Sequence, residues 1–318
     1  MQFQNLSPAL CRFSALFALA LTACGGGGGG TPEFVAPRYD LVFDSTGADG
    51  IGRLYRVDGS TGQVTAVAGA TPGYRPAADP QGRRLVFSAR ASEDPQARYT
   101  LRLLDLGSGV QTRLSADDLA NEVEASFAAD GERLIYTSDR DGDGDIVLAR
   151  LAGTQFNVLR NLTPPIAPPP DEDRTPAWSP DGSKIVFTAY RGGNPAIWIM
   201  QVNGDNPWQI TASGNWGDYS PSWSPDGSRV AFQRVDTVDG VVRSRIGWVA
   251  TTGGNVTFLD FPGSVYDPRY SPDGKYLAFW AKTNDGGDLY IATPDGQVVK
   301  RLGTNGADRH PAWIRVNP

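Results

Sequence analysis

A four-residue turn recurs along this chain, and its spacing limits the folds open to it. Ser179-Pro180-Asp181-Gly182 returns as Ser224-Pro225-Asp226-Gly227 and again as Ser271-Pro272-Asp273-Gly274. Looser copies are Asp79-Pro80-Gln81-Gly82 and Ala128-Ala129-Asp130-Gly131. The five glycines, Gly82, Gly131, Gly182, Gly227 and Gly274, lie 49, 51, 45 and 47 residues apart. Proline presets φ at the second turn position and glycine suits the fourth. A period near 45 residues with strand-like patterning is the signature of propeller blades.

Each repeat reads as four strands. A strand that often ends in an aromatic precedes the turn: Phe127, Trp178, Trp223 or Tyr270. A second strand follows with consecutive apolar residues: Leu85-Val86-Phe87, Leu134-Ile135-Tyr136, Ile185-Val186-Phe187, Val230-Ala231-Phe232 and Leu277-Ala278-Phe279. Consecutive apolar positions mean that both faces are buried, as in a sheet packed between two others. A third strand follows, then a glycine-bearing turn such as Asn203-Gly204-Asp205, and a fourth strand ends the unit. The chain ends supply complementary halves of one more unit. Leu41-Val42-Phe43 matches a second strand, and Pro311-Ala312-Trp313-Ile314 matches a first. The expectation is an all-β, six-bladed β-propeller over residues 37–318, four strands per blade, with the first blade closed by the C-terminal strand. Closure of that kind removes exposed sheet edges.

The N-terminal residues read as a targeting segment. Phe13 to Leu21 is an apolar run too short to span a bilayer, set between Arg12 and small residues. Leu21-Thr22-Ala23-Cys24 resembles a bacterial lipobox. That resemblance implies a lipoprotein signal peptide over 1–23 and a lipidated Cys24. Residues 24–36 then form a glycine-rich tether, with Gly25 to Gly30 as its flexible part. Several acyl chains together give stable anchoring. The mature protein is expected in the periplasm, held to a membrane. By the same lipobox resemblance, Gly25 stands where an aspartate would imply inner-membrane retention, which implies the outer membrane.

The unit from Asp173 to Thr188 resembles the repeat of TolB-type propellers. The same repeat occurs in the propellers of prolyl-oligopeptidase-like peptidases. The resemblance covers about residues 38 to 316 and concerns the propeller alone, without TolB's N-terminal α/β domain. It implies a protein-binding bias but does not name a function, since one fold hosts many.

Composition narrows the chemistry. The net charge is −6, and no Lys/Arg cluster offers a nucleic-acid surface. The two cysteines, Cys11 and Cys24, both precede the repeats, and His310 is the single histidine, so a Cys/His zinc site is excluded. No Gly-x-Ser-x-Gly elbow is present. No catalytic residue and no cofactor is assigned. Calcium has one weak candidate, the alternating Asp139, Asp141, Asp143 and Asp145. The twelfth loop position is Arg150, where a bidentate glutamate is expected, so an acidic hairpin turn is the competing reading. Pro164 to Pro170 is polyproline-like and reads as a stiff linker, or as a recognition segment.

In a propeller, the loops opposite the Ser-Pro-Asp-Gly turns surround the channel mouth. The expected mouth residues are Asp173, Arg174, Tyr219, Tyr266, Asp267, Asp308, Arg309 and His310, with Arg191 and Trp216 in neighbouring loops. Mixed Tyr, Trp and Arg is the composition of binding hot spots. Aspartates bonded into neighbouring blades are the structural alternative. The favoured function is a lipid-anchored envelope module that binds another envelope protein without catalysis. The alternatives are a carbohydrate-active or lyase propeller using channel carboxylates, and a sensory lipoprotein with a small ligand.

Overall fold

The structure, a computed structural model, describes residues 39–316 apart from 95, 116–118, 165–171, 192, 239, 284–285 and 304–305. The expected signal peptide, Cys24, the expected tether and most of the proline-rich stretch lie outside these residues. The described chain is all β, with twenty-four strands and no helix.

Four sheets have four antiparallel strands each. They comprise β4–β7 (first strand Tyr74–Ala78), β8–β11 (Glu122–Phe127), β12–β15 (Asp173–Trp178) and β16–β19 (Gly217–Trp223). The fifth sheet has eight strands. It contains β20 (Val265–Tyr270) to β23 (Val298–Leu302). It also contains the C-terminal β24 (Ala307–Arg315), which pairs antiparallel with β1 (Tyr39–Thr46) ahead of β2 (Gly52–Val57) and β3 (Val64–Ala66). One parallel pairing, Gly287 with Ala307, joins the two sets. The match of the chain ends legible in the sequence is therefore a real strand pairing. Leu41 faces Trp313 and Val42 faces Ala312.

The second strand of each set carries the core. Phe43, Phe87, Tyr136, Phe187, Phe232 and Phe279 occupy equivalent positions and are wholly buried. Burying one such ring contributes roughly 1.5–3 kcal/mol. The residue beside each ring faces the other side of its sheet and is also buried, as Val86 and Val186 are. This is the physical reason for the unbroken apolar runs. Each core cluster joins consecutive sets: Ile197 and Ile199 pack with Trp223 and Phe232, and Val42 and Ile314 pack with Leu85 and Phe87.

The recurrent turn is a hydrogen-bonded device. Ser179 Oγ donates to Asp181 Oδ1 at 2.6 Å, and the Ser183 and Lys184 amides donate to Asp181 and to Ser179 Oγ. Gly182 takes φ 70°, which favours glycine. These serine bonds, then the Ser183 amide, lower the Asp181 carboxyl to about 2. In the looser copy Asp79 does both jobs, accepting the Arg83 and Arg84 amides.

Candidate functional site

The innermost strand of each set lines a common channel, and each is deformed at one place. A register shift interrupts the pairing of β4, β8, β12, β16 and β20 with their neighbours, and β24 has one opposite Val42 and Asp44. At each shift one residue is left-handed: Arg75, Glu124, Thr175, Ser220, Asp267 and His310, with φ between 48° and 59°. Proline follows five of the six. Proline lacks an N–H and is tolerated at edge strands and bulges, and these strands are both. The left-handed turn re-aims each side chain.

These six positions form a belt across the sets, with contacts that run from Ser220 through Asp267, His310, Asp44, Arg75 and Glu124 to the Thr175 amide. Glu124 Oε1 lies 3.3 Å from Arg75 Nη1, while Oε2 accepts the Thr175 amide at 2.9 Å and the Thr137 hydroxyl at 3.0 Å. Asp267 accepts Ser220 Oγ at 2.6 Å and Trp280 Nε1 at 2.8 Å. His310 stands between two buried carboxylates. Its Nδ1 is 2.8 Å from Asp44 Oδ1 and its Nε2 is 3.7 Å from Asp267 Oδ2. Burial acts to raise the Asp267 carboxyl, but His310, Arg75 and Arg269 together outweigh it and hold the group below the usual carboxylate range. The Ser220 hydroxyl is bonded to Asp267 and not to His310, so the belt contains no serine–histidine nucleophile pair.

On the side away from the Ser-Pro-Asp-Gly turns the belt opens into a cavity of about 570 Å³. Six of the sequence-predicted residues line it: Arg174, Tyr219, Tyr266, Asp267, Arg309 and His310. Tyr266 stacks on Trp280 with centroids 4.1 Å apart and planes 14° apart, and Arg309 stands 5.4 Å over the Trp280 ring. Across the cavity Tyr190 meets Tyr219 edge to face at 6.4 Å. Burial first, and Tyr219 next, push the Tyr190 hydroxyl up to about 12, so it stays a neutral donor. Glu172 holds Arg174 at 2.8 Å.

The other four expected mouth residues do not line this cavity. Asp173 is buried and pairs with Arg191 at 2.8 Å, and Arg191 in turn lies over Phe187 and Trp198. Asp308 is fully buried beside Gly287 at the parallel bridge. Trp216 covers Arg234, whose guanidinium makes two 2.7 Å bonds to Asp218. For Asp173, Arg191 and Trp216 the reason is shared: an acid at the start of an inner strand, Asp173 or Asp218, neutralises an arginine that follows on the neighbouring strand or its loop, and the pair is sealed under aromatic rings. Arg75, Glu124, Thr175, Ser220, Tyr190 and Trp280 were not among the expected residues. The dipeptides Arg75-Pro76, Thr175-Pro176 and Ser220-Pro221 carried a usable signal for three of them.

The candidate calcium loop is a hydrogen-bonded hairpin between β9 (Arg133–Ser138) and β10 (Asp145–Ala152). Asp139 is taken by Asn121 and Arg98. Asn161 Nδ2 donates to both Asp141 at 3.1 Å and Asp145 at 2.9 Å. Burial first, then Asp143 and Asp141, push Asp145 up to about 6. Among the described residues no three His, Cys, Asp or Glu side chains are grouped to hold a metal ion.

No family model matches the chain. A TolB homolog of Chlorobium luteolum is 30% identical over 128 residues, 40% of this chain and 26% of that protein. A Tol-Pal system protein TolB of Anaeromyxobacter dehalogenans is 26% identical over 140 residues, 44% of this chain and 21% of that protein. The matches thus span about a quarter of the relatives' length. The crystal structure of TolB from Acinetobacter baumannii superposes with a TM-score of 0.71 at 21% identity, covering 87% of this chain and 66% of that one. The fold is a TolB-like β-propeller. In propeller terms, the belt is the waist of the central channel and the larger cavity is its mouth.

Proposed function

We propose that this chain is a non-catalytic, lipid-anchored binding module of a bacterial envelope, whose channel mouth takes a segment of another envelope protein. On this reading the eight-stranded sheet is two blades bridged by one parallel pairing, so the propeller has six blades and β24 completes the first. Residues 1–23 are a cleaved signal peptide, Cys24 carries the lipid, and residues 24–36 tether the propeller to the outer membrane on its periplasmic side.

The observation that carries the reading is the composition of the mouth. A cavity of about 570 Å³ brings together Tyr219, the stacked Tyr266–Trp280 pair and Arg309. Rigid aromatic and arginine side chains around a depression are what protein-binding hot spots are made of. The names of the matched relatives, TolB and Tol-Pal system proteins, agree with an envelope role.

The test is cross-linked capture from native envelopes with the tagged chain and with Tyr219→Ala and Arg309→Glu variants. The expected result is a reproducible protein partner that is lost from both variants while their circular dichroism is unchanged. Equal recovery of that partner by both variants would exclude the mouth as the binding face.

A further inference from the structure

A second cavity, of about 380 Å³, runs along the same inner strands on the side of the recurrent turns. It shares Arg75, Glu124, Thr175 and His310 with the mouth, so the belt divides the channel in two. Below the belt the walls are prolines, alanines and aromatic rings, among them Pro76, Pro221, Ala312, Trp178 and Trp223, with serines between them. One further charged side chain, Arg269, lines this half and not the mouth.

Arg269 is left with capacity to bind. Its hydrogen bonds run from Nη1 to the carbonyl oxygens of Pro268 at 3.0 Å and Ser220 at 3.4 Å. Among the described residues no carboxylate forms an ion pair with it. A guanidinium has five N–H donors in a flat fork, and most of these remain. The nearby carboxylates are engaged: Glu124 by Arg75, Thr137 and Thr175, and Asp267 by Ser220 and Trp280. Arg75 and Arg269 differ in this respect. Burial works against the charge on Arg75, but Glu124, Asp267 and Asp44 more than offset it. For Arg269 burial dominates, Arg75 adds repulsion, and Asp267 and Glu124 do not restore the ordinary value. An arginine keeps its proton regardless, so the lower channel holds an under-compensated positive charge.

We propose that this lower half of the channel is a ligand site for a small carboxylate with an apolar body, the acid group on Arg269 and the body against the proline, alanine and aromatic walls. One planar fork matches one carboxylate in bidentate geometry. The volume lies in the range of small-molecule sites, and such sites combine apolar walls with a few placed polar groups. The site is separate from the mouth and does not depend on the protein-binding reading.

The test is calorimetric titration of the full chain with octanoate, beside 1-octanol as the uncharged analogue and inorganic phosphate as an anion without a body. Octanoate is expected to bind saturably, and both controls at least about tenfold more weakly. Arg269→Gln keeps a donor for the carbonyls, and it should weaken octanoate by about tenfold or more, the scale of a lost charged hydrogen bond. Tyr219→Ala should leave octanoate binding unchanged. The proposal is overturned if octanol or phosphate matches octanoate, if no probe binds, or if Arg269→Gln binds as the parent does. It is equally overturned if Tyr219→Ala abolishes octanoate binding, which would place the probe in the mouth. If Arg269→Gln does not fold, the comparison of octanoate with octanol on the unaltered chain still decides.

Discussion

Replacing Arg234 by methionine tests whether the sealed ion pairs hold the inner strands in place. Asp218 is fully buried and Arg234 nearly so, and two 2.7 Å bonds join them. Trp216, Phe232 and Phe258 surround the guanidinium at 4.5 to 5.5 Å. Removing one partner of a buried pair costs about 3–5 kcal/mol, because the other charge is stranded. At about 2 °C per kcal/mol for a chain of this size, Arg234→Met should lower Tm by about 6–10 °C. Asp218→Asn in the same background removes the stranded charge and leaves an oxygen for Thr211, which bonds Asp218 in the parent. The double variant should recover about 2 kcal/mol or more of the loss. The pH dependence has a definite sign. Burial raises the Asp218 carboxyl even against Arg234, and without Arg234 it rises further. A carboxyl with a folded-state pKa above its unfolded value supports the fold at low pH and loses that support as pH rises through the folded value. The deficit of Arg234→Met should therefore be small near pH 4 and grow toward pH 8. Urea unfolding across that range reads it out. A deficit independent of pH, or a double variant no more stable than the single one, refutes the argument.

Three further perturbations read other parts of the fold. Gly227→Ala meets open space and should cost only the left-handed strain of about 1 kcal/mol, whereas a methyl at Gly82, at nearly the same φ, runs into the Arg315 carbonyl and should cost about 1–3 kcal/mol more; equal unfolding midpoints would disprove the close approach. Asp145 sits near pKa 6, so its support of the fold is lost as pH rises through about 6, and Asp145→Asn should gain about 1–3 kcal/mol over the parent at pH 8 with little difference at pH 4; a gain unchanged with pH would contradict this. Trp313→Ala empties a buried site between Tyr39 and Tyr276 and removes the indole donor to the Arg269 carbonyl, so denaturation should report a loss of about 3–5 kcal/mol; a loss under 1 kcal/mol would mean that the closing strand is held by its backbone alone.

Most of the scaffold was legible because local chemistry and the global fold make the same demand. Ser179 and Asp181 lie two residues apart and close their turn without help from the rest of the chain. The apolar runs around Phe87 and Phe187 report burial on both faces, which a sheet between two sheets requires. The pairing of Leu41 with Trp313 spans almost the whole described chain, yet it was legible because each end carries half of a repeated unit.

The site was legible only in part, and the reason lies in which side chains neutralise one another. Asp173 and Asp267 look alike in sequence, each an aspartate near the start of an inner strand. Two positions along the strand separate them in function: Asp173 begins its strand and meets Arg191 in the adjoining loop, while Asp267 sits at the left-handed position and turns into the channel. A residue's place relative to the bulge therefore decides between a sealed structural pair and a channel group. The proline after the left-handed residue marks that place, since an inner strand tolerates a missing N–H only where the ladder is already broken. Aligning the repeats on that proline assigns Arg75, Thr175, Ser220, Asp267 and His310 to the waist together, and Glu124 by its position alone. The channel's chemistry then follows from what the repeat does not conserve internally. The backbone device is the same six times, while the side chain it presents changes from arginine to glutamate, threonine, serine, aspartate and histidine. A charged belt built this way is asymmetric by construction, and that asymmetry leaves Arg269 on one side of it without a carboxylate of its own.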